Sequence, residues 1–133
     1  MKNIGDKSEA CIIAKLMQVG YAVLIPFGGS ERYDLVIEDA DGQFWRVQCK
    51  TGRYEVGTVE FNTGSTNDWY YRKRMKVKDY QGQIDYFAVY CPQLETTYLV
   101  PVDHVGTSQA RLRVEQLKHK QEKGIRWAAD YEL

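Results

Sequence analysis

The chain has 133 residues, in which 18 Lys+Arg balance 18 Asp+Glu, 44% of the side chains are apolar and 27% are charged. This length and composition fit one globular unit with its own core, read as a single domain over residues 1–133, and zero net charge excludes a polycationic nucleic-acid coat while leaving a local basic site open. No basic-then-apolar leader and no apolar run of about 18 residues occurs, so neither export nor membrane spanning is expected and the cytoplasm is the default compartment.

In chain order, a first helix is predicted to start from a cap at Asp6 or Ser8 and run to about Val19. Ala10, Ile13, Ala14 and Met17 would share its inner face, and Gly20 supplies the stop. Strands follow at 21–26, 33–38 and 44–51, the first two separated by the turn-rich Gly28-Gly29-Ser30. A hairpin arm is expected near 55–62, and a basic, aromatic loop with little periodicity over about 64–83. Two further strands are predicted at 86–91 and 97–102, another at 112–115, and a short closing helix at 126–131. Lys118 to Lys123 reads as a charged surface connection. Cys11, Cys49 and Cys91 are odd in number and lie outside any CxxC, so they point to buried small apolar residues and not to a disulfide framework or zinc site.

Charge is unevenly spread. Residues 31–45 set Arg32 against Glu31, Asp34, Glu38, Asp39 and Asp41, whereas residues 46–78 hold Arg46, Lys50, Arg53, Arg72, Lys73, Arg74, Lys76 and Lys78 against Glu55, Glu60 and Asp68. An acidic pocket beside a basic arm would suit a divalent cation and a polyanion; two solvated faces are the ordinary alternative.

The turn between the second and third strands decides which side chains meet. In Asp39-Ala40-Asp41-Gly42-Gln43, a three-residue loop with Gly42 in the left-handed region pairs Leu35 with Val47 and Ile37 with Trp45. The opposite side of this ribbon then carries Asp34, Gln48 and Lys50. A two-residue turn at Asp41-Gly42 would put Leu35 opposite Gln48 and scramble both faces.

A carboxylate and an amide oxygen on neighbouring strands suit a hard cation, and the Cys49 backbone carbonyl is a candidate third oxygen. Lys50 on the same face is placed to position or deprotonate a water and to stabilise developing negative charge, and Glu9 can close the site from the helix. The ordinary alternative is a surface salt bridge between Asp34 and Lys50 with Gln48 as a strand-face polar residue.

Glu9 in the first helix, Asp34 in Tyr33-Asp34-Leu35-Val36, and Gln48-Cys49-Lys50 in the following strand resemble the PD-(D/E)XK nuclease superfamily. The wider pattern, with Pro26-Phe27-Gly28, Arg46-Val47-Gln48-Cys49-Lys50-Thr51 and Asp85-Tyr86-Phe87-Ala88-Val89-Tyr90, is similar to the small group I intron-associated members over nearly the whole chain. More distantly it resembles archaeal Holliday junction resolvases. The resemblance implies an α/β core, an N-terminal helix followed by a mixed central sheet flanked by helices, and Mg2+-dependent cleavage of DNA, with Mn2+ as a substitute. It implies catalytic roles for Glu9, Asp34, Gln48 and Lys50, and metal contacts from Asp34, Gln48, Glu9 and Cys49. Tyr33 replaces the motif proline, and Gln48 replaces its acidic residue, which removes one negative charge from the metal site.

DNA contacts are expected from Arg72, Lys73, Arg74 and Lys76 in the aromatic basic loop, from Gly29 and Ser30 ahead of Asp34, and from Arg53 and Tyr54 just beyond Lys50. A homing or restriction-like endonuclease is the leading expectation, with a junction resolvase or an inactive DNA-binding module as alternatives. Cutting both strands needs two such sites, so a homodimer or higher homo-oligomer is expected.

Overall fold

The computed structural model describes residues 3–29, 31–64, 82–116 and 124–133. Helix α1 (Ile4–Gln18) is followed by β1 (Ala22–Leu24), β2 (Leu35–Glu38), β3 (Phe44–Thr51), β4 (Arg53–Glu55), β5 (Thr58–Asn62), β6 (Tyr86–Cys91), β7 (Thr96–Pro101) and β8 (Gln109–Arg113), with single 3-10 turns at Val102–His104 and Ala128–Asp130. The central sheet runs β1-β2-β3-β6-β7, and β4-β5-β8 form a second sheet. All central pairings are antiparallel except β3 with β6, which makes the sheet mixed.

Two expectations for α1 are corrected. Its cap is Asn3, whose side chain accepts from the Gly5 amide at 2.8 Å, and not Asp6 or Ser8. Its inner line is Ser8, Ile12 and Leu16, whereas Ala10 and Ala14 face solvent and Met17 is 61% exposed. Both lines have helical spacing, but Ile12 and Leu16 match the surface offered by Leu35, Ile37, Val47 and Ala88, with which they form the helix-side core. Burying each of these two branched chains stabilises the fold by about 1.5–3 kcal/mol relative to exposure. The helix then stops as anticipated: Gly20, at φ +107°, donates to the Met17 carbonyl at 3.1 Å while Tyr21 donates to Leu16 at 3.0 Å, a Schellman ending that needs a residue tolerant of positive φ.

The β2–β3 hairpin has the anticipated register, with Leu35 opposite Val47 and Ile37 opposite Trp45. Gly42 has φ +80°, and its amide bonds the Asp39 carbonyl at 3.0 Å, so the loop is the three-residue one. Strand β3 spans the expected residues, as does β6; β1 and β2 are shorter, and the strand expected at 112–115 lies at Gln109–Arg113. The closing helix expected at 126–131 is only the 3-10 turn Ala128–Asp130.

The far face of the central sheet packs on the second sheet through Val59, Phe61, Phe87, Val89 and Leu112. Gly52 is the point of transfer between the sheets. A Cβ there would lie 2.8 Å from Val59 Cγ1 and 3.0 Å from Val89 Cγ1, so only glycine lets the chain turn off β3 so close to both layers. The turn from β4 into β5 places both Val56 (φ +47°) and Gly57 (φ +76°) in the left-handed region, as a tight type I′ hairpin requires.

Candidate active site

Strand β3 supplies the scaffold. Because side chains alternate along it, Val47 enters the helix-side core while Gln48 and Lys50 project toward the second sheet. Asp34 precedes β2; its amide donates to the Val47 carbonyl at 2.9 Å and its carboxylate accepts from the Cys49 amide at 2.8 Å. The carboxylate therefore does in side-chain form what another rung of the β2 ladder would have done. Since an extended residue points its N–H and C=O to the same side, the Cys49 carbonyl also faces the Asp34 edge.

The electrostatics of this corner are unbalanced. Burial raises the Asp34 pKa, and the Cys49 N–H and Lys50 only partly offset it. Glu9, half-buried on α1, is likewise pushed up, first by burial and then by the Asp34 and Asp6 charges. Two carboxyl groups thus oppose each other across the helix–sheet boundary. Burial lowers Lys50, with Asp34 opposing that effect and Arg32 adding to it. Its ammonium donates to the Gly64 carbonyl at 3.2 Å, a contact that ties β3 to the segment just after β5. The Cys49 thiol is driven strongly upward, first by burial and then by the Asp34 and Glu9 charges, and so stays a neutral thiol in the protein by itself.

Gln48 adds the most diagnostic atom. Its Oε1 is buried and has no hydrogen-bond partner among the described residues. A buried, unsatisfied amide oxygen costs about 1–3 kcal/mol, and this one lies on the strand whose Cys49 amide bonds the Asp34 carboxylate. No group of three or more His, Cys, Asp and Glu placed to hold a metal ion occurs among the described residues. The oxygens that Asp34, Gln48 and the Cys49 main chain offer are a carboxylate, an amide oxygen and a carbonyl, all hard oxygens of the kind that could hold a divalent cation such as Mg2+.

One contact that the sequence did not disclose holds the site's two layers together. Ser8, 2% exposed, shares a 2.7 Å hydrogen bond with Thr51 Oγ1, joining the neighbour of Glu9 to the neighbour of Lys50. A serine on a helix's inner face was its only available signal.

The expected DNA contacts are distributed differently. Gly29, at φ +75°, lies exposed in the loop ahead of Asp34. Arg53 faces Glu60 across β4–β5 with an ion pair at 3.8 Å, and the Tyr54 hydroxyl donates to Glu115 at 2.5 Å. Ser30, Arg72, Lys73, Arg74, Lys76, Trp69 and the 118–123 connection lie outside the described residues. The anticipated acidic pocket is narrower than its charge count: Asp39 accepts from the Asp41 and Gln43 amides and Trp45 Nε1, each at 2.9 Å, and so serves the turn.

An N-terminal helix laid on a mixed sheet, with an aspartate entering β2 and a Gln-x-Lys on β3, defines a nuclease core of the PD-(D/E)XK type. A model of that family, the PD-(D/E)XK endonucleases, matches residues 1–133, and the chain belongs to it. Among solved structures it is similar to the bacterial homing endonuclease I-Ssp6803I, with TM-score 0.65 and 24% identity over 97% of this chain and 84% of that one, a likeness of fold. No curated protein matches the chain.

Proposed function

We propose that this nuclease is a metal-dependent DNA endonuclease of the homing type, using Mg2+ with Mn2+ as a substitute. The buried Gln48 Oε1, without a hydrogen-bond partner among the described residues and on the strand that bonds the raised Asp34 carboxyl, is the observation that supports this most directly. Asp34 and Gln48 hold the ion, the Cys49 carbonyl is a third protein oxygen, and Glu9 closes the site from α1 as a ligand or by orienting a water. When bound, the ion supplies Lewis-acid polarisation of the scissile phosphate.

The remaining steps belong to the chain's own groups. Lys50, held by the Gly64 carbonyl and lowered by burial, positions the attacking water and presents positive charge to the phosphate oxygens as charge builds on them. Removing the ordinary solvent around it strengthens that interaction. Gly29, Ser30, Arg53, Tyr54, Arg72, Lys73, Arg74 and Lys76 are assigned to the DNA backbone, where cationic and main-chain donors position a duplex without reading its sequence. One chain offers one such site, so cutting both strands calls for a homodimer or a higher homo-oligomer. The similarity to a homing endonuclease favours a duplex target over a branched one.

Purified protein should cut duplex DNA in Mg2+ or Mn2+, and Asp34→Ala and Lys50→Ala should each lower cleavage by about 10²–10³-fold or more while leaving the circular dichroism spectrum intact. Undiminished cutting by both variants would overturn the assignment. A parallel four-way junction substrate separates the duplex-specific reading from a resolvase.

A further inference from the structure

From the last residue of β1 toward Asp34 the chain presents Leu24, Ile25 and Phe27 to solvent at 43%, 60% and 102% exposure. The Phe27 ring contributes nothing to the folded core. Pro26 restricts the backbone on one side of it, and Gly28 and Gly29, at φ +98° and +75°, turn the chain on the other, so the loop's shape does not depend on the ring. A phenylalanine fully in water, next to exposed Leu24 and Ile25, is not explained by packing among the described residues.

The register says where a partner for it would lie. Leu24 pairs with Val36, so the antiparallel β1–β2 ribbon sends the loop out from the sheet end at which Asp34 sits. Two occupants are conceivable there, a second copy of the chain or the faces of DNA bases. The three side chains expose only roughly 400 Å² between them, against roughly 800 Å² per partner for a stable protein interface, and β1 is a three-residue edge too short to pair extensively. Base faces need far less area, and a single inserted ring suffices to unstack one base step.

We propose that Phe27, backed by Ile25, is a wedge that stacks on or inserts between bases of the duplex seated at Asp34. The proposal rests on the DNA-endonuclease reading and extends it: the site would act on locally unstacked DNA, with the ring setting the phosphate's approach to Asp34 and Lys50. Phe27 is then a positioning residue that touches substrate away from the reacting atoms.

The test uses the full chain on closed circular plasmid without divalent ions, relaxed by a magnesium-independent topoisomerase, together with gel retention of the same plasmid. The wild type should lower the plasmid linking number. Phe27→Ala should bind about 5- to 150-fold more weakly and lose the linking-number change, while Phe27→Trp keeps both. Asp34→Ala should still unwind the plasmid, because the wedge does not use its carboxylate. If Phe27→Ala unwinds and binds like wild type while wild type cuts DNA in Mg2+, the wedge is wrong and the nuclease assignment stands. If wild type neither binds nor cuts plasmid, both fall. Sedimentation of Phe27→Ala as a smaller species than wild type would overturn the wedge in favour of a contact between copies.

Discussion

Asp34 and Asp85 each accept a hydrogen bond from a β3 main-chain amide, Asp34 from Cys49 at 2.8 Å and Asp85 from Arg46 at 2.7 Å. There the likeness ends. Asp85 also takes the Arg46 guanidinium in a two-pronged contact, with both bonds at 3.2 Å, and although burial opposes it, the sum holds its carboxyl below the usual range. Asp34 has no such fork; burial dominates, Glu9 stands opposite, and its carboxyl is held above the usual range. The cleft lined by Trp45, Arg46, Asp85 and Tyr86 is therefore a satisfied structural joint. At the Asp34 corner burial outweighs the Cys49 N–H and Lys50, so among the described residues its charge is less well compensated than that of Asp85, an imbalance of the kind that functional sites carry.

The sharpest way to break this contrast is to neutralise each aspartate in turn. Asp34→Asn should abolish cleavage, at least about 10²–10³-fold, yet raise the melting temperature in metal-free buffer at neutral pH, because an acid whose folded pKa is raised opposes folding once ionised. Asp85→Asn should do the reverse, lowering stability by about 1 kcal/mol after discounting for the partly exposed Arg46, with cleavage largely kept. Thermal denaturation and a plasmid nicking assay read both outcomes; like-signed shifts in melting temperature would dissolve the contrast.

Next in size is the effect of the ion. Saturating Mg2+ should stabilise wild type by about 2.7 kcal/mol at a concentration of 100 Kd, and Asp34→Asn should lose most of that gain by the same melting assay. Gln48→Glu should lower the Mg2+ concentration at half-maximal cleavage, since it restores a charge at the ion, while destabilising the metal-free fold by crowding a third carboxyl beside Asp34 and Glu9. Gln48→Leu should abolish cleavage without that destabilisation.

Ser8→Ala should cost about 1 kcal/mol, since it leaves the Thr51 hydroxyl without its helix partner. By loosening α1 over β3 it should also reduce the cleavage rate more than DNA affinity, and Ser8→Thr should restore some of the rate. The smallest effect is expected at Asp39, whose carboxyl is held low chiefly by the Trp45 and Gln43 hydrogen bonds. A depressed folded pKa contributes stability above the unfolded value that is lost as pH falls through the folded one. Asp39→Asn should therefore slightly flatten the acid side of a pH–stability profile and leave cleavage untouched.

Local chemistry made much of this molecule legible in advance. Gly20 and Gly42 announced a helix stop and a three-residue turn because few other residues accept positive φ, and alternation along β3 then left one register that kept Leu35 and Val47 together. That register alone put Asp34, Gln48 and Lys50 on neighbouring strand ends. The helix's inner face differs from the expected one because Ala10, Ile13, Ala14 and Met17 have the same period as Ser8, Ile12 and Leu16; only the sheet beneath selects between them. Likewise, the surplus of positive charge over residues 46–78 did not reveal that Arg46 is consumed by Asp85 and that Arg53 faces Glu60.

By itself, then, the sequence determined the elements whose causes are local: the helix stop, turn geometry, strand alternation, and the order of Glu9, Asp34, Gln48 and Lys50 along the chain. Only the tertiary structure decided which carboxylate is satisfied, which amide oxygen finds no partner among the described residues and which cation is already paired. Those properties depend on burial and on partners distant in sequence, such as Asp85 for Arg46, Gly64 for Lys50 and Thr51 for Ser8, and a charge's free energy is set by that surrounding space and not by its place in the chain.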